Sequence, residues 1–239
     1  MVHLGIIPDG NRRWCKENNI DYKMNSLTEV WFKIFIKQLC ELSEQKMTFL
    51  EKINSLSFYV CSIENIRRQD NTSKYIYELL EKLINFYFHY EEILEEIIEN
   101  EEKKRKVQLY CKHIFTELNI YTIGELHELP DKIQLGFQDI MNNNNNEKQY
   151  KLYLAIAYDF KKDILNYGIN NNKNYTRNQE EIDILLRTGG ELRLSGFFPT
   201  HINYAEFFFL DKYWPSITLQ DIDDVIDDFL NVRQRRFGK

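Results

Sequence analysis

Five consecutive residues near the start of the chain, Asp9-Gly10-Asn11-Arg12-Arg13, combine a carboxylate, a glycine, an amide and two guanidinium groups. They follow an apolar run, residues 4–7, that predicts a short buried strand, and they precede a helix-compatible stretch. Two arginines at a helix N-terminus oppose the helix dipole unless an anion binds there. A diphosphate would be such an anion, and Asp9 could hold a hard cation bridging to it. The alternative is an ordinary capped turn whose arginines point into water.

A second stretch, residues 183–195, runs from an apolar segment into a turn that contains Gly189 and Gly190. Two glycines allow backbone N–H groups to approach a ligand closely. Donors suited to phosphate lie on both sides of this turn, namely Arg187, Arg193 and Ser195. The alternative is a tight turn with surface arginines. The sequence has no GxxxxGK[ST] pattern, which excludes a Walker nucleotide site.

A third stretch, residues 203–210, places Glu206 within an apolar run. Burying a carboxylate there is unfavourable unless it is paired or bound to a metal ion. The alternative is a glutamate on an edge strand that faces solvent. Taken together, two separate anion sites and two isolated acids, Asp9 and Glu206, favour an enzyme that joins two phosphorylated substrates with a divalent metal.

The rest of the pattern must supply the elements that position these stretches. Apolar residues at helical spacing predict helices over 26–46, 73–103 and 219–236, whereas residues 56–60, 119–123, 152–157 and 182–186 are typical of strands. Their alternation predicts a parallel sheet with helices on both faces. The asparagine runs 142–146 and 170–174 are expected not to pack and are predicted to be exposed loops.

Composition narrows the class of protein. With 239 residues, 43% of them hydrophobic, the chain is expected to form one domain, 1–239. A net charge of −6 argues against nucleic acid as a partner. The four cysteines show no CxxC pairing, which favours free thiols in a reducing compartment. We find no signal peptide and no apolar run of the ~18 residues that span a bilayer. We therefore expect a cytoplasmic protein, with a peripheral membrane contact left open.

Several stretches resemble the cis-prenyltransferase family, which includes undecaprenyl and dehydrodolichyl diphosphate synthases. HLGIIPDGNRRW (3–14) resembles its first motif and LSFYVCSIENIRR (56–68) its central one. DILLRTGGELRLSGFFPTHINYAEFFFLDKYWP (183–215) resembles the signature near the C-terminus, and RQRRFG (233–238) resembles the terminal motif. The resemblance covers nearly the whole chain. It implies an α/β fold with a six-stranded, mostly parallel sheet, flanking helices and an elongated hydrophobic tunnel.

The resemblance also implies an activity and a role for each site residue. The activity is Mg²⁺-dependent condensation of isopentenyl diphosphate with an allylic diphosphate, farnesyl or similar, to a Z-polyprenyl diphosphate. The terminal Arg-Phe-Gly implies a homodimer. Metal would bind to Asp9 and Glu206, and the catalytic residues would be Asp9, Asn11, Ser62 and Asn65. The allylic diphosphate would bind to Gly10, Asn11, Arg12, Arg13 and Arg68, and isopentenyl diphosphate to Arg187, Arg193 and Ser195.

The chain departs from the family pattern between residues 22 and 29. Asn25, Ser26 and Glu29 stand near positions that the family fills with Gly, His and Gly, and Tyr22 stands near a usual arginine. The main rival hypothesis is therefore a non-catalytic partner subunit of a heteromeric cis-prenyltransferase. The enzyme is favoured because costly polar groups persist where they act; those retained are Asp9, Asn11, Arg187, Arg193 and Glu206.

Product length follows from the tunnel that the resemblance implies. Its walls would come from the helices predicted at 26–46 and 73–103, and a bulky ring at its floor would stop elongation by excluded volume. Plain core packing of the same rings is the alternative. We expect a short to medium product because these helices carry Trp31, Phe32, Phe35, Tyr87 and Phe88.

Overall fold

A computed structural model describes residues 1–20, 26–44, 51–70, 72–167 and 180–233. Within these ranges six strands form one sheet in the order β3-β4-β2-β1-β5-β6. Every pairing between neighbours is parallel, so the sheet expected to be mostly parallel is entirely so. The strands are β1 (Val2–Ile7), β2 (Ile53–Tyr59), β3 (Leu118–Ile123), β4 (Tyr150–Ala155), β5 (Ile184–Arg187) and β6 (Glu206–Phe209).

Helices flank this sheet, which confirms the predicted α/β class. In chain order they are α1 (Asn11–Glu17), α2 (Ser26–Glu44), α3 (Ile63–Ile66), α4 (Thr72–Ile97), α5 (Glu101–Glu117), α6 (Asp131–Asn142), α7 (Phe160–Tyr167) and α8 (Leu219–Asp228). A π-helical turn, Phe229–Arg233, extends α8. Single 3₁₀ turns lie at Leu126–Glu128 and Trp214–Ser216.

The two central strands that carry the candidate site are buried along their whole length. Every residue of β1 and of β5 is buried, as expected for parallel strands with helices on both faces. On one face Leu4 packs in a cluster with Trp214 and Ile226. On the other, Leu185 packs in a cluster with Phe197. The ends of β1 and β5 are thereby fixed relative to each other.

Two helices stand where the sequence predicted one over 73–103. α4 ends at Ile97 and α5 begins at Glu101. Asn100 caps α5, because its side chain accepts a hydrogen bond from the Lys103 N–H at 2.8 Å. α4 also has a non-helical residue, His89, with φ −130° and ψ 29°. The single-helix prediction was wrong. The apolar spacing continues across residues 98–100, but Asn100 starts a new helix there by capping it.

The asparagine run 142–146 is mostly exposed, but it packs against the edge strand β3. Asn144 Nδ2 donates to the Ile120 carbonyl (2.7 Å), and Asn144 Oδ1 accepts from the Ile120 N–H (2.9 Å). Asn145 and Asn119 pair in a similar way at 2.9 Å. A side-chain amide carries the same donor and acceptor as a peptide group, so this run occupies groups that another strand would use. The expectation that it cannot pack was wrong.

Other expectations concern the thiols, the membrane and the remaining segments. The four cysteines are unpaired and buried. In the described part of the chain, no helix combines the length and apolar character that a bilayer crossing requires. Tyr22, Asn25, the run 170–174 and residues 234–238 of the terminal motif lie outside the described residues.

Candidate active site

A cleft of about 900 Å³ opens at the carboxyl edge of the sheet. Its walls come from the segments that follow β1, β2 and β5. Ligands of open α/β sheets bind at this edge, where neighbouring strands lead their connections to opposite sides. The sequence-predicted residues that line the cleft are Asp9, Gly10, Asn11, Arg12, Arg13, Ser62, Asn65, Arg187, Arg193 and Ser195.

Thr188 joins the segment after β1 to the segment after β5. Its hydroxyl accepts a hydrogen bond from the Asp9 N–H and donates to the Asp9 carbonyl, both at 2.9 Å. The Thr188 N–H donates to the Ile7 carbonyl at 3.2 Å. Because Thr188 is fully buried, these bonds hold the Asp9 turn firmly against the second anion-binding stretch.

Arg187 organises the centre of the cleft and is itself buried, at 3% exposure. One terminal nitrogen donates to Asp9 Oδ2 at 2.6 Å. The other donates to Ser195 Oγ at 2.8 Å and to the Arg193 carbonyl. The resemblance implied that Arg187 binds diphosphate directly. In this structure its terminal nitrogens are committed to shaping the loop at 193–195 and to holding Asp9.

The electrostatic state of Asp9 follows from these contacts. Burial alone would raise the pKa of this carboxyl, but the hydrogen bonds from Arg187 and from the Gly10 N–H hold the pKa below its ordinary value. Arg13 lies near the same carboxylate, with its nitrogen 3.5 Å from Asp9 Oδ1. Asp9 is therefore ionised at neutral pH and lies between two guanidinium groups.

Gly10 is the N-cap of α1. From the sequence, the cap is expected somewhere in the turn 9–11, without a particular residue. The φ of Gly10 is 96°, in the left-handed region that favours glycine, and no side chain caps the helix. A Cβ at Gly10 would lie 2.4 Å from Tyr213 Cδ1. The Arg13 guanidinium carbon stands 5.4 Å from the centre of the same tyrosine ring, so Tyr213 supports both residues.

Ser62 and Asn65 lie at the wall of the cleft and bond to each other. The Asn65 N–H donates to Ser62 Oγ at 3.2 Å, and the Ser62 N–H donates to Asn65 Oδ1 at 3.0 Å. The pair forms a capping box that starts α3. This arrangement fixes the direction in which both side chains meet the cleft.

Two sequence-predicted residues stand apart from this group. Arg68 is absent from the lining of the cleft as described and instead donates to Asp70 Oδ2 at 2.7 Å and 3.1 Å. Glu206 begins the edge strand β6 in register with Ile184, the first residue of β5, whereas Arg187 is its last. Within one chain, Glu206 and Asp9 thus lie towards opposite ends of the strands.

The sequence interpretation missed three residues that complete the site. Thr188 and Glu191 belong to the quoted stretch 183–195, but neither was assigned a role. Tyr59, at the end of β2, donates its hydroxyl to the Ser195 carbonyl at 3.3 Å. Burial raises the pKa of the Tyr59 phenol above its ordinary value, so the group stays neutral. The only sequence signal for Tyr59 is its position, three residues before the segment SIEN (62–65).

Two buried polar atoms of the cleft have no hydrogen-bond partner within the described ranges, Asn11 Oδ1 and Arg187 Nε. Asn11 uses its amide nitrogen to donate to the Pro8 carbonyl at 2.8 Å. Buried polar groups are nearly always hydrogen-bonded, and exceptions are explained by a bound water, an ion or a functional role. An acceptor and a donor therefore remain available to a ligand in the cleft.

Divalent metals in proteins are held mainly by carboxylate, imidazole and thiolate side chains. Over the described residues, no three His, Cys, Asp or Glu side chains form a cluster that could hold a metal. Mg²⁺ often binds through one or two carboxylates together with waters and substrate phosphates. The ionised Asp9, at the mouth of an arginine-lined cleft, fits such a metal arriving with a diphosphate.

The fold and the cleft together define an α/β protein with an arginine-lined cleft beyond the ends of β1 and β5. Residues 7–238 match the family model described as "Putative undecaprenyl diphosphate synthase". The chain belongs to this prenyltransferase family and is a transferase.

Curated relatives agree with the family. The chain is 29% identical to a tritrans,polycis-undecaprenyl-diphosphate synthase (geranylgeranyl-diphosphate specific) of Sulfurisphaera tokodaii, over 99% of this chain and 87% of that protein. It is 27% identical to an isoprenyl transferase of Campylobacter jejuni, over 100% of this chain and 99% of the relative.

Solved structures agree on the fold. A crystal structure described as a "probable undecaprenyl diphosphate synthase" from Campylobacter jejuni superposes with a TM-score of 0.64 at 25% identity, covering 99% of this chain and 98% of that one. Lavandulyl diphosphate synthase from Lavandula x intermedia, solved with dimethylallyl diphosphate, gives a TM-score of 0.67 at 19% identity, covering 95% and 94%. At that identity the second likeness concerns the fold alone.

Proposed function

We propose that residues 1–239 form one cis-prenyltransferase domain that condenses isopentenyl diphosphate with an allylic diphosphate, farnesyl or similar, to a Z-polyprenyl diphosphate. One observation carries this proposal. Arg13 and Arg193 lie in the segments that follow two adjacent strands, β1 and β5, and both line one cleft together with the ionised Asp9. Two cationic groups that line the same cleft suit two diphosphates that must react with each other.

The allylic diphosphate binds on the side of the Asp9 turn. The Arg12 and Arg13 guanidinium groups face it, and Gly10 and Asn11 let it approach the backbone. As the allylic C–O bond breaks, negative charge grows on the leaving diphosphate, and fixed cationic donors stabilise that charge. Mg²⁺, held by Asp9, would neutralise part of the same charge when bound.

Isopentenyl diphosphate binds on the side of the loop at 193–195, through Arg193 and Ser195. Arg187 and Tyr59 act as positioning residues, because they hold Ser195 Oγ and the Ser195 carbonyl. The double bond of isopentenyl diphosphate then attacks the allylic carbon, and loss of a proton creates the new cis double bond. Ser62 and Asn65 border the space between the two diphosphates.

The division between the two substrates can be tested by two variants. Arg193→Ala should raise the KM for isopentenyl diphosphate about tenfold or more, since a charge-assisted hydrogen bond contributes about 1.5–3 kcal/mol. Arg13→Ala should raise mainly the KM of the allylic primer. Steady-state kinetics with labelled isopentenyl diphosphate, Mg²⁺ and primers of several lengths measures both. If both variants affect only one substrate, the division is wrong.

The position of Glu206 supports a homodimer whose partner copy completes the metal site. Glu206 lies on the sheet-edge strand, away from Asp9 of its own chain. Large apolar groups on the same edge are exposed, with Tyr204 at 64% and Phe207 at 38%. A second copy seated there would cover these side chains and bring its own Asp9 turn towards Glu206.

Subunit complementation tests this dimer. Asp9→Asn and Glu206→Gln should each inactivate the homodimer. A mixed dimer of the two variants should regain about half of the activity, since one of its two sites combines an intact Asp9 with an intact Glu206. Activity that stays absent in the purified mixed dimer would place both residues in one chain's site, and an active Glu206→Gln homodimer would exclude Glu206 from the site.

No observation favours the rival role of a non-catalytic partner subunit. Such a protein would bind and activate another chain but would not turn over alone. Purified chain that incorporates labelled isopentenyl diphosphate on its own therefore excludes it. We also propose a cytoplasmic location with a peripheral membrane contact, because an apolar product must leave the enzyme into a lipid phase.

A further inference from the structure

Glu191 connects the two diphosphate-binding sides of the cleft. Its Oε1 lies 3.1 Å from Arg13 Nη1, and its Oε2 accepts a hydrogen bond from Arg193 Nη1. The Glu191 side chain is 30% exposed and lines the cleft together with both arginines. One carboxylate therefore bridges the guanidinium assigned to the allylic substrate and the one assigned to isopentenyl diphosphate.

The bridge belongs to an alternating chain of charges across the site. Arg187 contacts Asp9, Asp9 contacts Arg13, Arg13 contacts Glu191, and Glu191 contacts Arg193. Arg13 and Arg193 thus face the cleft already partnered by a carboxylate of the protein. A diphosphate that binds at Nη1 of either arginine competes with an oxygen of Glu191, and its own negative charge would repel that oxygen.

We propose that Glu191 is an internal stand-in for the two diphosphates, and that its displacement couples the binding of one substrate to the binding of the other. This inference rests on the proposed function, because it takes both ligands of the cleft to be diphosphates. In the free enzyme, Glu191 holds both guanidinium groups in place and lowers their affinity for anions. The first diphosphate to bind takes one arginine and repels the carboxylate.

The coupling follows from the number of partners that Glu191 retains. In the free enzyme, Glu191 contacts both Arg13 and Arg193, so the first diphosphate must compete with a carboxylate that is held on two sides. Once the first diphosphate is bound, Glu191 keeps a single, partly exposed ion pair, and such pairs are weak. The second diphosphate therefore displaces it more easily. The linkage is reciprocal, so either substrate should favour the other by the same factor.

Binding measurements on the full chain test this directly. The ligands are isopentenyl diphosphate, which does not react alone, and an allylic thiolodiphosphate, whose C–S bond ionises too slowly to react. Calorimetry gives the Kd of each ligand alone and with the other saturating, for the unaltered protein and for Glu191→Gln. The matched control is Asp211→Asn. Asp211 lies beside Gly190 on the same surface but is not an ion-pair partner of Arg13 or Arg193 in the described residues.

Glu191→Gln should bind each ligand alone up to about fivefold more tightly, as expected for losing a competing exposed ion pair. Its coupling factor should fall by a similar ratio, whereas Asp211→Asn should match the unaltered protein. Thermal unfolding of each variant checks that it is folded. Unchanged or weaker binding by Glu191→Gln, or an unchanged coupling factor, overturns the inference. If the unaltered protein binds neither ligand, the proposed function fails instead.

Discussion

Asp9 lies between the buried guanidinium of Arg187 and the more exposed one of Arg13, and this setting changes how its removal should be tested. From the sequence, an acid in a surface turn is expected to contribute little to folding. The structure shows that Asp9→Ala would leave Arg187, 3% exposed, without its 2.6 Å carboxylate partner. Leaving a buried charged donor unpaired costs about 2 kcal/mol or more.

We therefore expect different outcomes from two substitutions at Asp9. Asp9→Asn keeps a hydrogen-bond acceptor for Arg187 and should abolish condensation with little change in the melting temperature. Asp9→Ala should abolish condensation and also lower the free energy of unfolding by about 2 kcal/mol. Chemical denaturation and a radiolabel assay with Mg²⁺ measure the two effects. Near-normal turnover by Asp9→Asn would show that the carboxylate does not serve the reaction.

His3 makes stability depend on mildly acidic pH. Its ring lies in the sheet at 2% exposure, with Nε2 2.9 Å from Ser57 Oγ. Burial lowers the pKa of His3 from 6.5 to about 4, against an opposing effect of Glu180. Between those values the unfolded chain binds a proton that the folded chain does not. Stability contributed by neutral His3 is therefore complete above pH 6.5 and falls as the pH drops towards 4, by about 3 kcal/mol.

The measurement is the free energy of unfolding at several pH values from 7 to 4. His3→Gln should flatten the slope in this window, although it is less stable at pH 7. His113→Gln, at an exposed position of α5, is the control and should keep the slope of the unaltered protein. An equal slope in all three proteins would assign the pH dependence to other groups.

At the scale of elements, the sequence predicts which strands are followed by candidate site residues. It does not predict which strands are neighbours in the sheet. Residues 4–7, 56–60 and 182–186 are indicated as strands by local apolar pattern, and each leads into polar groups. The contacts of Arg187 with Asp9 depend on β1 and β5 being neighbours, which is a long-range property. The register that separates Glu206 from Asp9 is equally invisible locally, because it is set by how β6 pairs with β5.

Element boundaries failed where a single polar residue decided them. Asn100 ends the run predicted as one helix by capping α5, and Asn144 turns part of a loop into a cover for β3. Both effects come from side-chain amides that compete with backbone groups. Composition assigns the whole asparagine run 142–146 to an exposed loop. The structural role of each asparagine depends on which backbone groups its side-chain amide can reach.

The cover on β3 leads to a prediction about its edge. Asn144→Ala should lower the free energy of unfolding by about 1–2 kcal/mol, because the Ile120 N–H and carbonyl lose partners at 2.9 Å and 2.7 Å. It should also increase aggregation through the exposed edge. Asn146→Ala, in the same run at an exposed position, should do neither. Denaturation and light scattering compare the variants, and equal behaviour would reject a role for the Asn144 amide.

At the scale of the whole molecule, the space between the helices bears on product length. A second cavity of about 560 Å³ lies between α2, α4 and α6. Its lining is mixed, with the pairs Lys82–Glu29 (2.8 Å) and Lys132–Glu81 (2.7 Å) beside the apolar Phe88. This differs from a uniformly apolar tunnel, since the exposed faces of α2 and α4 contribute their charged residues. The elongated tunnel stays a prediction.

Aromatic rings fill the space next to this cavity. Phe32 lies under Lys82, with Nζ 5.3 Å from the ring centre. Behind it, Phe86 makes edge contacts with Phe32 at 6.1 Å and with Phe35 at 5.1 Å. Phe115 of α5 packs on the other side of Phe86 at 6.3 Å. These rings belong to one buried hydrophobic cluster. If the growing chain enters between α2 and α4, Phe32 is placed to block its further elongation, as a floor of the tunnel.

We expect the unaltered enzyme to make a short to medium product and Phe32→Ala to lengthen it, because removing the ring opens volume where an apolar chain would continue. Each added isoprenoid unit then gains burial of about 0.8 kcal/mol per CH₂. Phe32→Ala could unfold the protein, because Phe→Ala in a core lowers the free energy of unfolding by about 3–5 kcal/mol. Phe32→Leu leaves a smaller void and serves as the second, more stable variant. Phe115→Ala, which opens volume behind Phe86 instead, should destabilise the protein without changing product length. Chromatography of the dephosphorylated products decides the matter: very long chains from the unaltered protein, or equal lengthening by Phe115→Ala, would contradict a floor at Phe32.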